Sequence, residues 1–95
     1  MTPPTNVQSW ESGKRQYPVG TVVTGRVLLV AEFGVFVELV GGVAGLLLVP
    51  EMEGDGPRLM ESYPQVGETV TARVLWHNDR DRKMSLTQRV PNVTG

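Results

Sequence analysis

The chain has 95 residues, a net charge of −1, a single histidine, His77, and no cysteine. That length accommodates one domain, which buries roughly two thirds of its unfolded surface in one modest core. The composition excludes a disulfide framework, a thiolate metal site and His-rich zinc constellations, fits a reducing cytoplasm, and lacks the basic footprint of a strong phosphate binder.

Residues 1–17, "MTPPTNVQSWESGKRQY", show no basic stretch followed by an apolar one and so do not read as a signal peptide. Their Pro, Thr, Asn, Ser and Gly content predicts a flexible lead-in. The next segment, 19–50, is rich in Val, Leu and Gly, but Arg26, Glu32 and Glu38 interrupt it. Its longest charge-free piece, "LVGGVAGLLLVP", falls short of the roughly 18 apolar residues of a spanning helix, so a soluble chain with no membrane partner is expected.

Strand chemistry dominates from residue 20 onward. "GTVVTGRVLLV" is β-branched and aliphatic, and alternation places Val23, Gly25, Val27 and Leu29 inward. In "GVFVEL", Val35, Val37 and Leu39 take the inner side, and Phe36 and Glu38 take the side that sees water. Gly41 and Gly42 turn the chain into "VAGLLLV", which makes the second and third strands a hairpin. The stretch 50–67, with three prolines and three glycines, cannot continue a sheet and predicts a long connection holding one short helical turn at 58–62. In "ETVTARVLW", Val70, Ala72 and Val74 alternate with Thr71, Arg73 and Leu75 as a fourth strand. "HNDRDR" is a charged turn, and "KMSLTQ" returns as a fifth strand with Met84 and Leu86 inward. Residues 90–95 carry no pattern and read as a flexible tail, leaving 18–89 as the domain.

Five strands, a central hairpin, a long link after the third strand and no long amphipathic helix predict an all-β protein. Closure into a five-stranded barrel removes the exposed edges. The OB-fold barrel has this arrangement, and a five-stranded SH3-like barrel has a similar strand count.

The stretch "EFGVF" holds the only two phenylalanines, Phe33 and Phe36. Three residues apart in a regular strand, they would point to opposite faces. Phe36 shares parity with Glu38 and so leaves the core to Val35 and Val37. Gly34, without a Cβ, permits a bulge that rotates Phe33 onto the same face. The competing reading, in which one or both rings are core residues, stands beside it and weighs more for Phe33 than for Phe36.

From residue 19 to 89 the chain resembles the S1 RNA-binding domain, a subclass of the OB fold. The resemblance rests on an ordered series: Val19-Gly20, Gly25, Val27, Phe33-Gly34, Phe36-Val37, Gly45-Leu46, Glu51, Val66-Gly67, Val74 and Ser85-Leu86. It implies a module for single-stranded RNA, which binds on an outer face of the second and third strands bordered by the turn between the fourth and fifth. Phe33 and Phe36 match the family's aromatic pair, and a ring stacks on any base because every base has a π-face. Leu48 stands where the family often has histidine and offers only apolar contact. Asn78 stands where it often has aspartate, and Lys83 occupies the basic position, with Arg80 and Arg82 beside it.

Charge is unevenly spread: net −6 over 32–68, +3 over 69–95 and +2 over 1–31. A basic track therefore depends on Arg26, Arg73, Arg82 and Lys83 reaching one side of the barrel. The turn also reads as a solvated charge run, since Asp79 and Asp81 alternate with its basic residues. Trp76 either extends the stacking surface or is covered by the lead-in through Trp10 or Tyr17, while His77 reads as a packed rim residue.

An enzyme is not expected. There is no spaced acid–base pair, no Lys-Ser/Thr of a phosphate loop and no calcium-loop pattern, hence no cofactor and no metal. Two binding readings remain. One is a monomeric single-stranded RNA module, alone or within a ribosomal or RNA-processing assembly. The other is a barrel that contacts a protein partner through Leu48, Met52, the acidic loop and Trp76.

Overall fold

The structure, a computed structural model, describes residues 5–54 and 59–89. Five strands, β1 (Val22–Ala31), β2 (Gly34–Leu39), β3 (Val43–Leu48), β4 (Thr69–Asn78) and β5 (Lys83–Thr87), close into a barrel in the order β1-β2-β3-β5-β4. All pairings are antiparallel except β3 with β5, the parallel contact that closes the barrel after the long 49–68 connection. That connection carries two 3-10 turns, Val49–Glu51 and Met60–Ser62, where the sequence predicts one. Part of the expected turn, Arg58, lies outside the described residues, as does the tail 90–95.

The interior is the alternating set read from the sequence: Val23, Val27, Val35, Val37, Leu39, Val70, Ala72, Val74, Met84 and Leu86, joined by Val43 and Leu47. β1 serves both neighbours, pairing through Val22–Arg26 with β4 and through Arg26–Ala31 with β2. Gly25 sits at this changeover, where a Cβ would lie 2.6 Å from the Glu38 carbonyl oxygen.

Leu29 departs from the alternation. The β1–β2 register shifts between Val27 and Leu29, so Leu28 is the extra residue of a bulge. Beyond it parity reverses. Leu29 pairs with Phe36 on the outer face, and Val30 pairs with the fully buried Val35. Met52, within the connection, is buried in the core, which removes it from any protein-binding surface.

The lead-in is not loose where it is described. Val7–Gln16 form a helix, α1, whose N-cap Asn6 accepts a hydrogen bond from the Ser9 amide at 2.9 Å. Trp10, Gly13 and Tyr17, at i, i+3 and i+7, lie on one helical face turned to the barrel. Gly13 allows the close approach, since a Cβ there would lie 2.7 Å from a Val43 methyl. Trp10 joins the core at 2% exposure, edge-on to His77 at 6.1 Å between ring centroids, and its indole N–H donates to Asp79 Oδ1 at 2.8 Å. His77 is the packed rim residue expected: its Nε2 donates to the Tyr17 carbonyl at 2.7 Å. No described helix is long and apolar enough to cross a membrane.

Asp79 gathers two donors, Lys14 Nζ at 2.7 Å and the Trp10 indole. These hydrogen bonds, that from Lys14 foremost, hold its carboxyl below the ordinary 3.8. A carboxyl with a lowered folded pKa contributes stability fully above its unfolded value and loses it as pH falls through the folded one. Asp79→Asn is therefore expected to flatten the acid limb of the stability profile, read by urea unfolding from about pH 5 downward. The effect is small because the pair is exposed.

Candidate nucleic-acid interface

The site begins with the connection between β1 and β2. Ala31 pairs with Gly34, so Glu32 and Phe33 are a two-residue turn, and Phe33 belongs to no strand. Strand alternation therefore does not apply to it, and its ring folds over the outer face. Two hydrogen bonds fasten the turn: the Phe33 carbonyl accepts from the Val49 amide at 2.9 Å, and the Glu32 carbonyl accepts from the Tyr63 hydroxyl at 2.8 Å. Gly34 is required where β2 starts, because a Cβ there would run into the Leu47 carbonyl oxygen and lie 2.9 Å from Leu48 Cα.

The two phenylalanine rings meet edge to face, 5.9 Å apart and at 89°. They are unequal. Phe33 is 53% exposed, whereas Phe36 is 8% exposed although it is not part of the interior cluster. Parity does point Phe36 away from the core, but the expectation that its side of β2 sees water holds only for Glu38. Together they line a groove of about 470 Å³ with Leu29, Ala31, Leu46, Asp81 and Lys83. The Lys83 ammonium lies 5.8 Å from the Phe36 ring centroid, within cation–π range, and stands at the groove edge.

Of the residues expected at the site, Phe33, Phe36 and Lys83 line the groove, while Leu48, Asn78 and Arg80 do not. Leu48 pairs with Gly34 and so flanks Phe33 at the end of β3, and Asn78 pairs with Lys83 across β4 and β5. Asn78 also shapes the turn, donating from Nδ2 to Asp81 Oδ2 at 3.1 Å and accepting the Asp81 amide at 3.2 Å. Arg80 is exposed in that turn.

Others are drawn elsewhere. Arg82, at φ 50°, turns its guanidinium toward the N-terminal segment and donates from Nε to the Thr5 carbonyl at 2.7 Å. Arg73 donates to the Gly20 carbonyl at 2.8 Å, on a separate depression lined by Val22, Thr71 and Gln88. Arg26 lines a third, beside Glu38 and Thr69. The four-cation track considered from the sequence thus does not form, and Lys83 alone of that set lines the groove.

Sequence reasoning missed Leu29, Ala31, Leu46 and Asp81 as groove residues. Leu29 was hidden by the bulge. Leu46 lies in a run of three leucines that shows no alternation, though its register partner Phe36 would have exposed it.

A closed five-stranded barrel in this order is an OB fold, here with an aromatic groove on the outer face of β2 and β3. The chain belongs to the S1 RNA binding domain family, whose pattern matches residues 16–89. Among curated relatives it is 38% identical over 78 residues to small ribosomal subunit protein bS1 of Pseudomonas aeruginosa, covering 81% of this chain and 14% of that one. It is 35% identical over 80 residues to 4-hydroxy-3-methylbut-2-enyl diphosphate reductase of Clostridium acetobutylicum, covering 84% of this chain and 12% of that one. The chain thus spans a small fraction of the length of these relatives. Among solved structures, GSP13 from Bacillus subtilis superposes with a TM-score of 0.68 at 28% identity, over 83% of this chain and 64% of that one.

Proposed function

We propose that this domain binds single-stranded RNA along the β2–β3 face, with the exposed Phe33 ring as the stacking platform. Phe36 forms the groove floor and fixes Phe33 edge-on, and Lys83 supplies the charge for a phosphate. The observation that carries this reading is the Phe33–Phe36 pair, edge to face on one groove, with Lys83 beside it. Family membership and resemblance to bS1 support it. A chain of a solved a/eIF2alpha-aDim2p-rRNA complex from Pyrococcus horikoshii also supports it. It gives a TM-score of 0.68 at 26% identity over 77% of this chain and 45% of that one. We assign the domain no catalytic step, and we read it as a cytoplasmic monomer that serves an RNA-containing assembly.

Stacking contributes about 1–3 kcal/mol per base, so Phe33→Ala is expected to weaken binding of a short oligouridine about five- to 150-fold. Its thermal stability should change little, since half the ring already sees water. Phe36→Ala is the less clean variant because that ring is covered. Lys83 and Arg80 offer few phosphate contacts, so log K should fall with log salt by only about 0.7 per contact. Chemical-shift titration at low and moderate salt checks both. Absence of saturable shifts at residues 33–36, 48 and 78–83 at low salt would sink the reading.

Asp81 on the groove rim and the apolar Leu48 favour the second reading, a groove that takes a protein segment. Under it, Phe33→Ala leaves oligonucleotide binding absent in both wild type and variant.

A further inference from the structure

One exposed aromatic remains unused by the site described so far. Trp76 is 50% exposed on the outer face of β4. Its place results from a second bulge: the β4–β5 register shifts between Val74 and Trp76, so that Leu75 is the extra residue and both Leu75 and Trp76 turn outward. The covering that the lead-in could have given it goes to Trp10 instead, which is buried against His77. An indole left half in water on a strand is the unusual arrangement, because tryptophan is on average highly buried.

Register ties this indole to the aromatic groove. Leu29 pairs with Phe36, Phe36 with Leu46, Leu46 with Ser85, and Ser85 with Trp76. Those pairings form one unbroken row across the side of the barrel. Phe36 and Trp76 are three strand spacings apart, about 14 Å along the sheet. Between the two aromatic ends the surface is polar as well as apolar: Ser85 lies in the row, and Lys83 and Asn78 lie two pairs further along β5 and β4. A ring at each end with a cation and hydroxyl between suits an extended strand of bases and phosphates better than a peptide, whose docking patch would be apolar at its centre.

We propose that Trp76 is a second stacking platform, at the far end of a track that starts at Phe33, and that the domain therefore binds an extended single strand rather than a base or two. This rests on the RNA-binding reading above. OB folds occupy roughly 4–16 nucleotides, so a dodecamer spans both ends, while a dinucleotide, with a single backbone step, reaches only one.

The test uses the full chain with a uridine dinucleotide and an oligouridine dodecamer. Trp10 is buried, so a change in indole emission on adding RNA reports Trp76. The dodecamer is expected to quench that emission, and Trp76→Ala to weaken its binding about five- to 150-fold, with Trp76→Phe retaining most of the affinity. Dinucleotide binding, followed by amide shifts at Phe33 and Lys83, is expected to be the same in Trp76→Ala as in wild type. If Trp76→Ala binds the dodecamer as wild type does while Phe33→Ala does not, the second platform is refuted and the RNA reading survives. Equal weakening of dinucleotide and dodecamer by Trp76→Ala would also refute it, by placing the indole beside Phe33 in function. If neither Phe33→Ala nor Trp76→Ala affects any oligomer, the RNA reading itself falls.

Discussion

Trp10→Ala is expected to cost the domain about 3–5 kcal/mol, the range for truncating a large buried aromatic. The ring is 2% exposed, packs edge-on to His77, and belongs to the same cluster as the barrel interior. Its removal leaves a cavity under α1 and strips Asp79 of its indole donor. Marginal domains hold about 5–15 kcal/mol in all, so the loss approaches or exceeds half the stability of a small one. At about 4–8 °C per kcal/mol for a domain of this size, the melting temperature should fall by roughly 12–40 °C. Thermal unfolding by circular dichroism decides the matter. If α1 were an appendage on a self-sufficient barrel, the shift would be that of a surface change, within about 0.5 kcal/mol. Trp10→Phe separates the two contributions, because it keeps most of the packing and loses the hydrogen bond to Asp79.

The helix behind that prediction was the element least legible in the sequence. Its residues, "VQSWESGKRQ", are mostly polar and include a glycine, so intrinsic propensity argues against a helix. What forms it is tertiary: one indole that finds a socket at the barrel end, and a glycine that lets the helix close on Val43. The available signal was the spacing of Trp10, Gly13 and Tyr17 after the Asn6 cap. Three positions are too few to set against a composition that reads as a linker. The barrel, by contrast, was legible because its strands repeat a period of two over many residues, and each repeat of Val or Leu votes for the same face.

The site was legible by its residue types and less so by its faces. Two bulges, at Leu28 and Leu75, each reverse parity without leaving any mark in composition. The first carries Leu29 out to the groove, and the second carries Trp76 out to the surface. Charge was the weakest guide. Arg26, Arg73 and Arg82 are close in sequence to groove elements, yet long side chains go to the nearest acceptor, and for Arg73 and Arg82 these are the Gly20 and Thr5 carbonyls. A net charge of −1 with Lys83 alone of those cations at the groove makes stacking, not phosphate attraction, the main source of affinity in the proposed mode.

If stacking dominates, the geometry that presents Phe33 matters more than any charge, and Gly34→Ala is the variant that tests this. The added methyl would meet the Leu47 carbonyl oxygen and approach Leu48 Cα to 2.9 Å and Leu47 C to 3.1 Å. All three atoms are backbone, so no side chain can swing aside, and the start of β2 must move off β3. Overpacking of this kind costs about 1–3 kcal/mol, and the rigidity of the obstacle places this case toward the upper end. The displacement breaks the Gly34–Leu48 pairing and pulls on the hydrogen bond between the Val49 amide and the Phe33 carbonyl. Phe33 then loses both its position and its edge-on contact with Phe36. The variant should remain folded, with amide shifts confined to the β1–β2 turn and the end of β3, and should bind oligouridine as weakly as Phe33→Ala. The double variant should be no weaker than either single one, because both remove the same platform. Wild-type affinity in a Gly34→Ala protein whose turn has demonstrably shifted would mean that RNA does not stack at Phe33.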